Sequence, residues 1–449
     1  MPSPETNVDH PSATSSEILD DLDASPTPYH AVSRAAQILT QAGFEPADET
    51  RPLSPKPGPR FITRGGSLVA WVQPDRDPRT FRGFNVVGAH TDSPNLRVRP
   101  NPDSSSANFS QVGMEVYGGI LANSWLDRDL GLAGRIAIGG ENGEVIHRLF
   151  RDDDPILRIP QLAIHLDRQI REKGLQLNSQ KHLLPIWALG KSRAGDLASY
   201  VAEDLGVKAS SILAWDLMAF DVQPPAIIGR DKDMFASARI DNLASTFCGV
   251  RALAKVTTNS GPSPIPVLVL YDHEEVGSTS SAGAGGNLLT SSLERIAGAM
   301  NVERNHYLAL LSDSLVISAD GSHATHPNYA DKHEPNHSVT INQGVVIKRN
   351  ANQRYATDTV GEAVVVAALR AAGIPLQHYI SRNDMPCGST IGPITSARTG
   401  IPTVDIGIAQ LAMHSIREMA GLTDLEYLHD ALHTIWQRPR ASTTSANLL

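Results

Sequence analysis

Apolar residues recur along the chain in two rhythms, and each predicts a different element. In residues 30–42 (HAVSRAAQILTQA), Val32, Ala35, Ala36, Leu39 and Ala42 fall at helical spacing, which predicts an amphipathic helix. After the connector RPLSPKPGPR, the apolar runs SLVAWV and FNVVGAH read as strands. From about residue 96 to 230 the pattern becomes short, glycine-punctuated and partly alternating (MEVYGGI, LAGRIAIGG, GEVIHRLF), as in antiparallel β structure, with one helical stretch, GDLASYVAEDLG. From Asp233 onward the β runs PVLVLYD, LVISAD and TVDIGI alternate with helices. One helix follows Asp241 with Leu243, Phe247, Val250, Leu253 and Val256 on one stripe; others lie near 359–372 and 424–437.

Alternation of this kind implies an α/β fold, expected as a three-layer α/β/α catalytic domain built from residues 1–95 plus 235–449. A β-rich insertion, residues 96–234, interrupts it. Residues 1–17 and about 440–449, rich in Ser, Thr, Pro and Asn, read as loose ends.

Composition narrows the function classes. The 449 residues suggest about three domains by length alone, which the pattern reduces to two. Lys plus Arg is 39 and Asp plus Glu is 48, a net charge of −9, which argues against nucleic-acid binding. The longest apolar run, AVVVAAL, is seven residues, against about 20 for a membrane span. The first residues show no basic start followed by an apolar stretch, and two cysteines, Cys248 and Cys387, fit a reducing compartment. The expectation is a cytoplasmic protein, with the sequons at Asn108 and Asn336 as chance matches.

Four apolar β runs end in, or just before, potential metal ligands. FNVVGA leads to His90 and Asp92, PVLVLYDH to Glu274 and Glu275, LVISA to Asp320 and then His323, and TVDIGI to His414. Asp241 stands where its helix begins. Singly each is weak: Asp241 reads equally as a helix N-cap, His90 and His414 as core histidines, and paired glutamates as solvated surface. Together they place carboxylates beside apolar strands, which is costly unless a cation compensates. His, Asp and Glu without thiolate suit zinc, with cobalt or manganese as substitutes. Asp92 lies two residues from His90, so it is expected to accept the second ring N–H. Glu274 and Glu275 would diverge on a strand, one towards metal and one towards an attacking water.

The segments VVGAHTDSPNLRVRP, ARIDNLAS, YDHEEVGSTS, ISADGSHATHPNY, DKHEPNH, NQRYATD, NDMPCGSTIGP and AQLAMHSIREMAG closely resemble the M18 metallo-aminopeptidases, the family of aspartyl aminopeptidase and its bacterial relatives. The resemblance runs from about Pro26 to Trp436. It implies two zinc ions bridged by Asp241, one held by His90 and Asp320, the other by Glu275 and His414. It implies Glu274 as general base and Asp92 as orienting carboxylate. His323, Lys348 and Tyr355 match substrate-contacting positions. His165, in the 96–234 segment, matches a histidine that reaches a neighbouring subunit's site; it reads as a substrate contact, with metal ligation as the alternative. Homo-oligomers, typically tetrahedral dodecamers, are also implied.

The resulting expectation is hydrolysis of the N-terminal residue from peptides with a free N-terminus, using a metal-activated water and Glu274 as base. Lys348 would favour an acidic first residue, Asp or Glu, against the plainer reading of a surface lysine at a strand end. Tyr355 or His323 would stabilise the oxyanion. GSTSSAGAGG lacks the phosphate-loop order and reads as a flexible loop, Cys387 as a small buried residue in a tight turn, and Ser389 and Thr390 as pocket lining. The competing readings are a neutral-residue aminopeptidase, another dinuclear amide hydrolase such as a deacylase or dipeptidase, and an inactive assembly or cargo homologue.

Overall fold

The computed structural model describes residues 12–75, 77, 80–257 and 264–437. Most of the two termini expected to be loose lies outside the described residues. Residues 13–17 are a correction: they open the helix Ala13–Asp23. Its Ile18 and Leu22 enter the main core, and its buried Asp21 receives Arg34 Nε at 2.8 Å and Arg251 Nε at 2.6 Å. Residues 13–17 (ATSSE) hold no large apolar side chain, and contacts such as Ser15 Oγ to the Leu422 carbonyl at 3.1 Å leave no periodic signal.

Four parallel strands make the centre of a nine-stranded sheet: Ile265–Tyr271, Phe84–His90, Leu315–Ala319 and Thr403–Gly407, in that order. Ser67–Gln73 and Gly58–Arg64 extend it antiparallel on one side, ending at Glu45–Pro46. Val345–Arg349 lies antiparallel on the other, followed by Leu376–Ile380. Strands covered on both faces read as near-continuous apolar runs, as LVISA does with Ser318 its one polar residue. Successive residues alternate between two cores. Val87, Ala89, Leu268, Leu270 and Ile317 pack with the helices Pro28–Gln41, Ile240–Ala254 and Leu422–Gln437. Phe84, Val86, Val267, Val269 and Val316 pack with Leu288–Ala299 and Arg304–Ser312. The result is a three-layer α/β/α arrangement, and each fully buried aliphatic side chain contributes about 1.5–3 kcal/mol.

A second sheet, antiparallel and six-stranded, comprises Val145–Leu157, Leu130–Gly139, Ile212–Asp221, Asn95–Ser106, Phe109–Tyr117 and Ile186–Leu189. Its own core takes Leu96, Val112, Leu132, Ile136 and Leu217, with Leu197 and Val201 of the helix Asp196–Leu205. A third sheet of five short strands was not anticipated: Ala226–Ile228, Met234–Ser237, Glu418–Gly421, Ala409–Leu411 and Ser322–His323. Two to four residues carry too little pattern to read as strands. This sheet lies just past the ends of the parallel strands Leu315–Ala319 and Thr403–Gly407. Among the described residues no helix is long and apolar enough to cross a membrane.

Candidate metal centre

Because the four central strands run parallel, their carboxyl ends lie along one edge, where functional groups of α/β sheets collect. His90 ends one strand, Asp320 follows another, Glu274 and Glu275 follow Tyr271, and His414 follows the fourth after a short return. Asp241 begins the helix that packs beneath. Its angles (φ −79°, ψ 107°) are non-helical, as an N-cap's would be, but no side chain caps that helix and Asp241 Oδ1 has no hydrogen-bond partner, so the N-cap reading fails. The two glutamates are also not on a strand: Glu274–Val276 is a single 3₁₀ turn after His273, whose φ is 65°. The turn, rather than strand alternation, separates their side chains.

The side chains converge. Asp241 turns Oδ1 to His90 Nε2 at 3.3 Å and Oδ2 to His414 Nε2 at 3.4 Å. His90 Nε2 lies 3.7 Å from Asp320 Oδ1 and 4.0 Å from Glu274 Oε2; His414 Nε2 lies 3.3 Å from Glu275 Oε2. These separations exceed the roughly 2.7–3.2 Å of a good N–H···O bond. Two of the ligand-like groups they define share Asp241, namely His90, Asp241 and Asp320, and Asp241, Glu275 and His414; a third joins His90, Glu274 and Glu275. Two donors bound tetrahedrally to one zinc at about 2.0–2.2 Å stand about 3.3–3.6 Å apart, close to the observed spacing. Asp241 Oδ1 and Glu275 Oε1 are buried without a hydrogen-bond partner, a cost that a bound cation removes. The residues fit a metal pair.

Their electrostatics say the same. Burial pushes Glu274 up to about 8, with Asp320, Asp92 and Asp241 adding and His90 opposing. Burial and Asp241 hold Glu275 well above the usual carboxylate range. For His414, burial pulls downward, but the Asp241 carboxylate prevails and lifts it to about 9. Burial likewise opposes ionised Asp241, yet His414 and His90 depress it. Protons on the two histidines and the glutamates thus provide the positive charge that two divalent ions would replace.

Two further carboxylates hold the ligands' backbones. Asp92 accepts the Glu274 N–H on Oδ1 and the Glu275 N–H on Oδ2, both at 3.1 Å, and the Tyr117 hydroxyl on Oδ2 at 2.6 Å. His90 Nδ1 lies 3.0 Å from the Asp92 carbonyl and 3.4 Å from its carboxylate. The carbonyl therefore does most of the ring-orienting work expected of the side chain. Glu418 accepts the Asp241 and His414 N–H groups at 2.9 and 2.7 Å, and burial lifts it to about 8. The His414 ring is set by the Gly119 carbonyl, 3.0 Å from Nδ1. A side chain at Gly118, whose φ is +72°, would meet Glu275 Cβ at 3.1 Å. Glu418 and Tyr117 were missed because neither follows one of the apolar central strands: Glu418 opens a four-residue strand, and Tyr117 ends a strand of the antiparallel sheet.

The substrate-side residues divide. Lys348 is 1% exposed, which removes the surface reading. Its Nζ donates to the Gly321 carbonyl at 2.9 Å, stands 3.8 Å from Asp320 Oδ2 and lies 5.1 Å from the Tyr355 ring centre. Tyr379, not anticipated, meets Tyr355 and His323 edge-on, with centroids 6.2 and 5.9 Å apart. His165 is exposed in the six-stranded-sheet segment and belongs to none of the ligand groups among the described residues. Thr390 is not pocket lining: it is buried, caps the helix Ile391–Thr399 and donates to Asp405 Oδ1 at 2.5 Å. Cys387 is half-buried and accepts from Ser381 Oγ at 3.0 Å. The glycine-rich loop folds on itself rather than lying open, since a side chain at Gly283 would come within 2.3 Å of the Ser278 carbonyl.

Fold and site together define an α/β metallopeptidase. The family model for aminopeptidase I zinc metalloprotease (M18) matches residues 22–436. The chain belongs to the M18 family of metallo-aminopeptidases. It is 49% identical over 413 residues to a probable M18 family aminopeptidase 2 of Streptomyces coelicolor, covering 92% of this chain and 94% of that protein. A chain from a cryo-EM structure of the Ape4 and Nbr1 complex is 35% identical, with TM-score 0.89, covering 94% of this chain and 85% of that one. A chain from the structure of the Saccharomyces cerevisiae mApe1 dodecamer is 28% identical, with TM-score 0.82, covering 94% of this chain and 96% of that one.

Proposed function

We propose that the chain removes the N-terminal residue from peptides with a free N-terminus, using two zinc ions per subunit. The observation that carries this reading is Asp241, which turns one oxygen to each of two histidines. His90, Asp241 and Asp320 would hold one ion, and Asp241, Glu275 and His414 the other. When bound, the ions supply Lewis-acid polarisation of the scissile carbonyl and a lowered pKa for the attacking water. Glu274, not needed in either set, accepts the water's proton on its carboxylate and returns it to the departing amine. In the metal-free chain burial and the neighbouring carboxylates lift Glu274 to about 8; two bound cations would lower that value and leave the carboxylate ionised to take the proton. Asp92 fixes the His90 ring and the turn that carries Glu274, while His323 and Tyr355 face the substrate.

An acidic first residue is the preferred substrate on this reading. With Asp320 engaged by a cation, the buried Lys348 ammonium carries an unmatched positive charge, which an Asp or Glu side chain satisfies and an apolar one does not. The 3.8 Å approach of Lys348 to Asp320 favours a second reading, in which Lys348 only balances that ligand and neutral residues are preferred. Hydrolysis of Asp-, Glu- and Leu-anilides by the zinc-loaded protein separates them. Faster Leu cleavage removes the acidic preference, and no cleavage of any aminoacyl substrate by a fully loaded protein removes the aminopeptidase reading.

The segment 96–234 acts, on this proposal, as an oligomerisation and lid domain inserted into a catalytic domain of residues 1–95 plus 235–449. Exposed Leu162, Ile164 and Leu166 flank His165, an apolar loop suited to a second copy of the chain. A dodecamer, as the yeast relative forms, here arranged tetrahedrally, would bring His165 to a neighbour's site, and a fully active monomer on gel filtration contradicts that role. The two unpaired thiols fit a cytoplasmic enzyme.

A further inference from the structure

Asp241 and His414 arrive from remote parts of the chain, and each sits in an irregular turn. Asp241 follows Arg239 at φ 61°; His414 itself has φ 67° and follows Ala412 at φ 56°. Left-handed backbone at a residue with a side chain persists only where its surroundings hold it. Neither turn is part of a regular ladder that would set its position relative to the other.

One side chain reaches both. Glu418 is 2% exposed, and both its oxygens are occupied by backbone N–H groups, Oε2 by Asp241 and Oε1 by His414. It opens the strand Glu418–Gly421 and pairs there with Ser237 of Met234–Ser237, so a sheet rather than a loop carries the carboxylate. Asp92 makes the corresponding contact to Glu274 and Glu275. The site is thus bracketed by two buried carboxylates that touch ligand backbones.

We propose that Glu418 is a positioning residue of the metal centre. By binding the amides of Asp241 and His414 with one rigid carboxylate, it fixes the 3.4 Å approach of Asp241 Oδ2 to His414 Nε2 and so sets affinity for the ion those two share. The inference rests on the two-ion reading above. Glu418 itself contributes no ligand atom, because both oxygens face N–H groups.

The test compares the full-length protein with Glu418→Gln, which keeps the length but turns an amino group towards one of the two backbone N–H groups. Zinc stoichiometry, zinc affinity by competition with a chromogenic chelator, the absorption spectrum of the cobalt-loaded protein and the urea midpoint are measured together. The expected result is a folded variant with roughly 10–100-fold weaker zinc binding and a shifted cobalt spectrum. Glu418→Asp, too short to reach both amides, is expected to change both readouts in the same direction. A folded variant with the parent's zinc affinity and cobalt spectrum overturns the proposal. So does loss of cooperative folding in both variants with zinc in excess, which assigns Glu418 to the fold alone. The parent's own stoichiometry is read first: no bound zinc there overturns the metal reading itself.

Discussion

The Tyr117 hydroxyl donates to Asp92 Oδ2 at 2.6 Å, so the antiparallel sheet and the turn carrying Glu274 and Glu275 share one buried carboxylate. The Arg97 guanidinium stacks over the Tyr117 ring, 3.6 Å from its centre, and fixes the ring from the other side. Burial, Asp92 and the shared bond raise the phenol's pKa far above its usual value, so it remains a donor throughout the working range.

Tyr117→Phe keeps the ring and its stacking and deletes only that donor. A hydrogen bond to a charged group contributes about 1.5–3 kcal/mol, and a loss of stability of that order is expected in urea unfolding. Since Asp92 orients the catalytic turn, kcat is expected to fall about tenfold or more while KM holds. Loss of stability with kcat intact would confine Tyr117 to the fold.

Glu274→Gln removes the proton acceptor and leaves both Asp241-sharing ligand groups whole. Turnover is expected to drop by about 10²–10⁴-fold, with zinc content by elemental analysis unchanged. Near-parental kcat would take the general-base role from Glu274. Loss of zinc alongside activity would instead make it a ligand, as the group of His90, Glu274 and Glu275 allows.

How much of this was visible in the chain depended on burial on both faces. Runs such as LVISA and FNVVGAH have no choice but the sheet centre, so the polar residue that ends each one marks the functional edge. His90, Asp320 and the Glu274–Glu275 pair were legible for that reason. Asp241 was ambiguous, since a carboxylate at a helix start is an N-cap by local rules; only the two histidines facing it decide otherwise. Glu418 and Tyr117 act on backbone amides and on another carboxylate across long sequence separations. No spacing rule reports such contacts. The turn holding the two glutamates escaped because three residues of 3₁₀ structure have no periodicity to read.

Arg251 shows the same blindness in the scaffold. Its guanidinium binds Asp21 through Nε at 2.6 Å and Nη2 at 3.1 Å, and Asp21 is fully buried. Arg251→Met leaves that carboxylate with Arg34 alone. Because Arg34 still pairs with Asp21, the cost is that of lost hydrogen bonds to a charged group, about 1.5–3 kcal/mol. The expected outcome is a lower urea midpoint, with early proteolytic cleavage near 13–23 as that helix loses its anchor. An unchanged midpoint would mean that Arg34 suffices.

Zinc removal is expected to reverse the protein's preference for pH. In the metal-free chain Glu274 and Glu418 are lifted to about 8 and His414 to about 9. Each folded value lies above the unfolded one, near 4.3 for Glu and 6.5 for His. The stability these groups contribute is therefore complete below those unfolded values and is lost as pH rises through about 8 to 9. Asp241 and Asp92 are shifted the other way, so their contribution disappears only in acid, below the unfolded value near 3.9. The chelated protein is thus expected to be most stable near pH 5 and to weaken steadily towards pH 9. Bound zinc replaces those protons and should hold stability up across that window. Urea midpoints at several pH values, with zinc and with chelator, measure the difference directly. Parallel curves for the two forms would mean that these carboxylates and histidines do not share a cation.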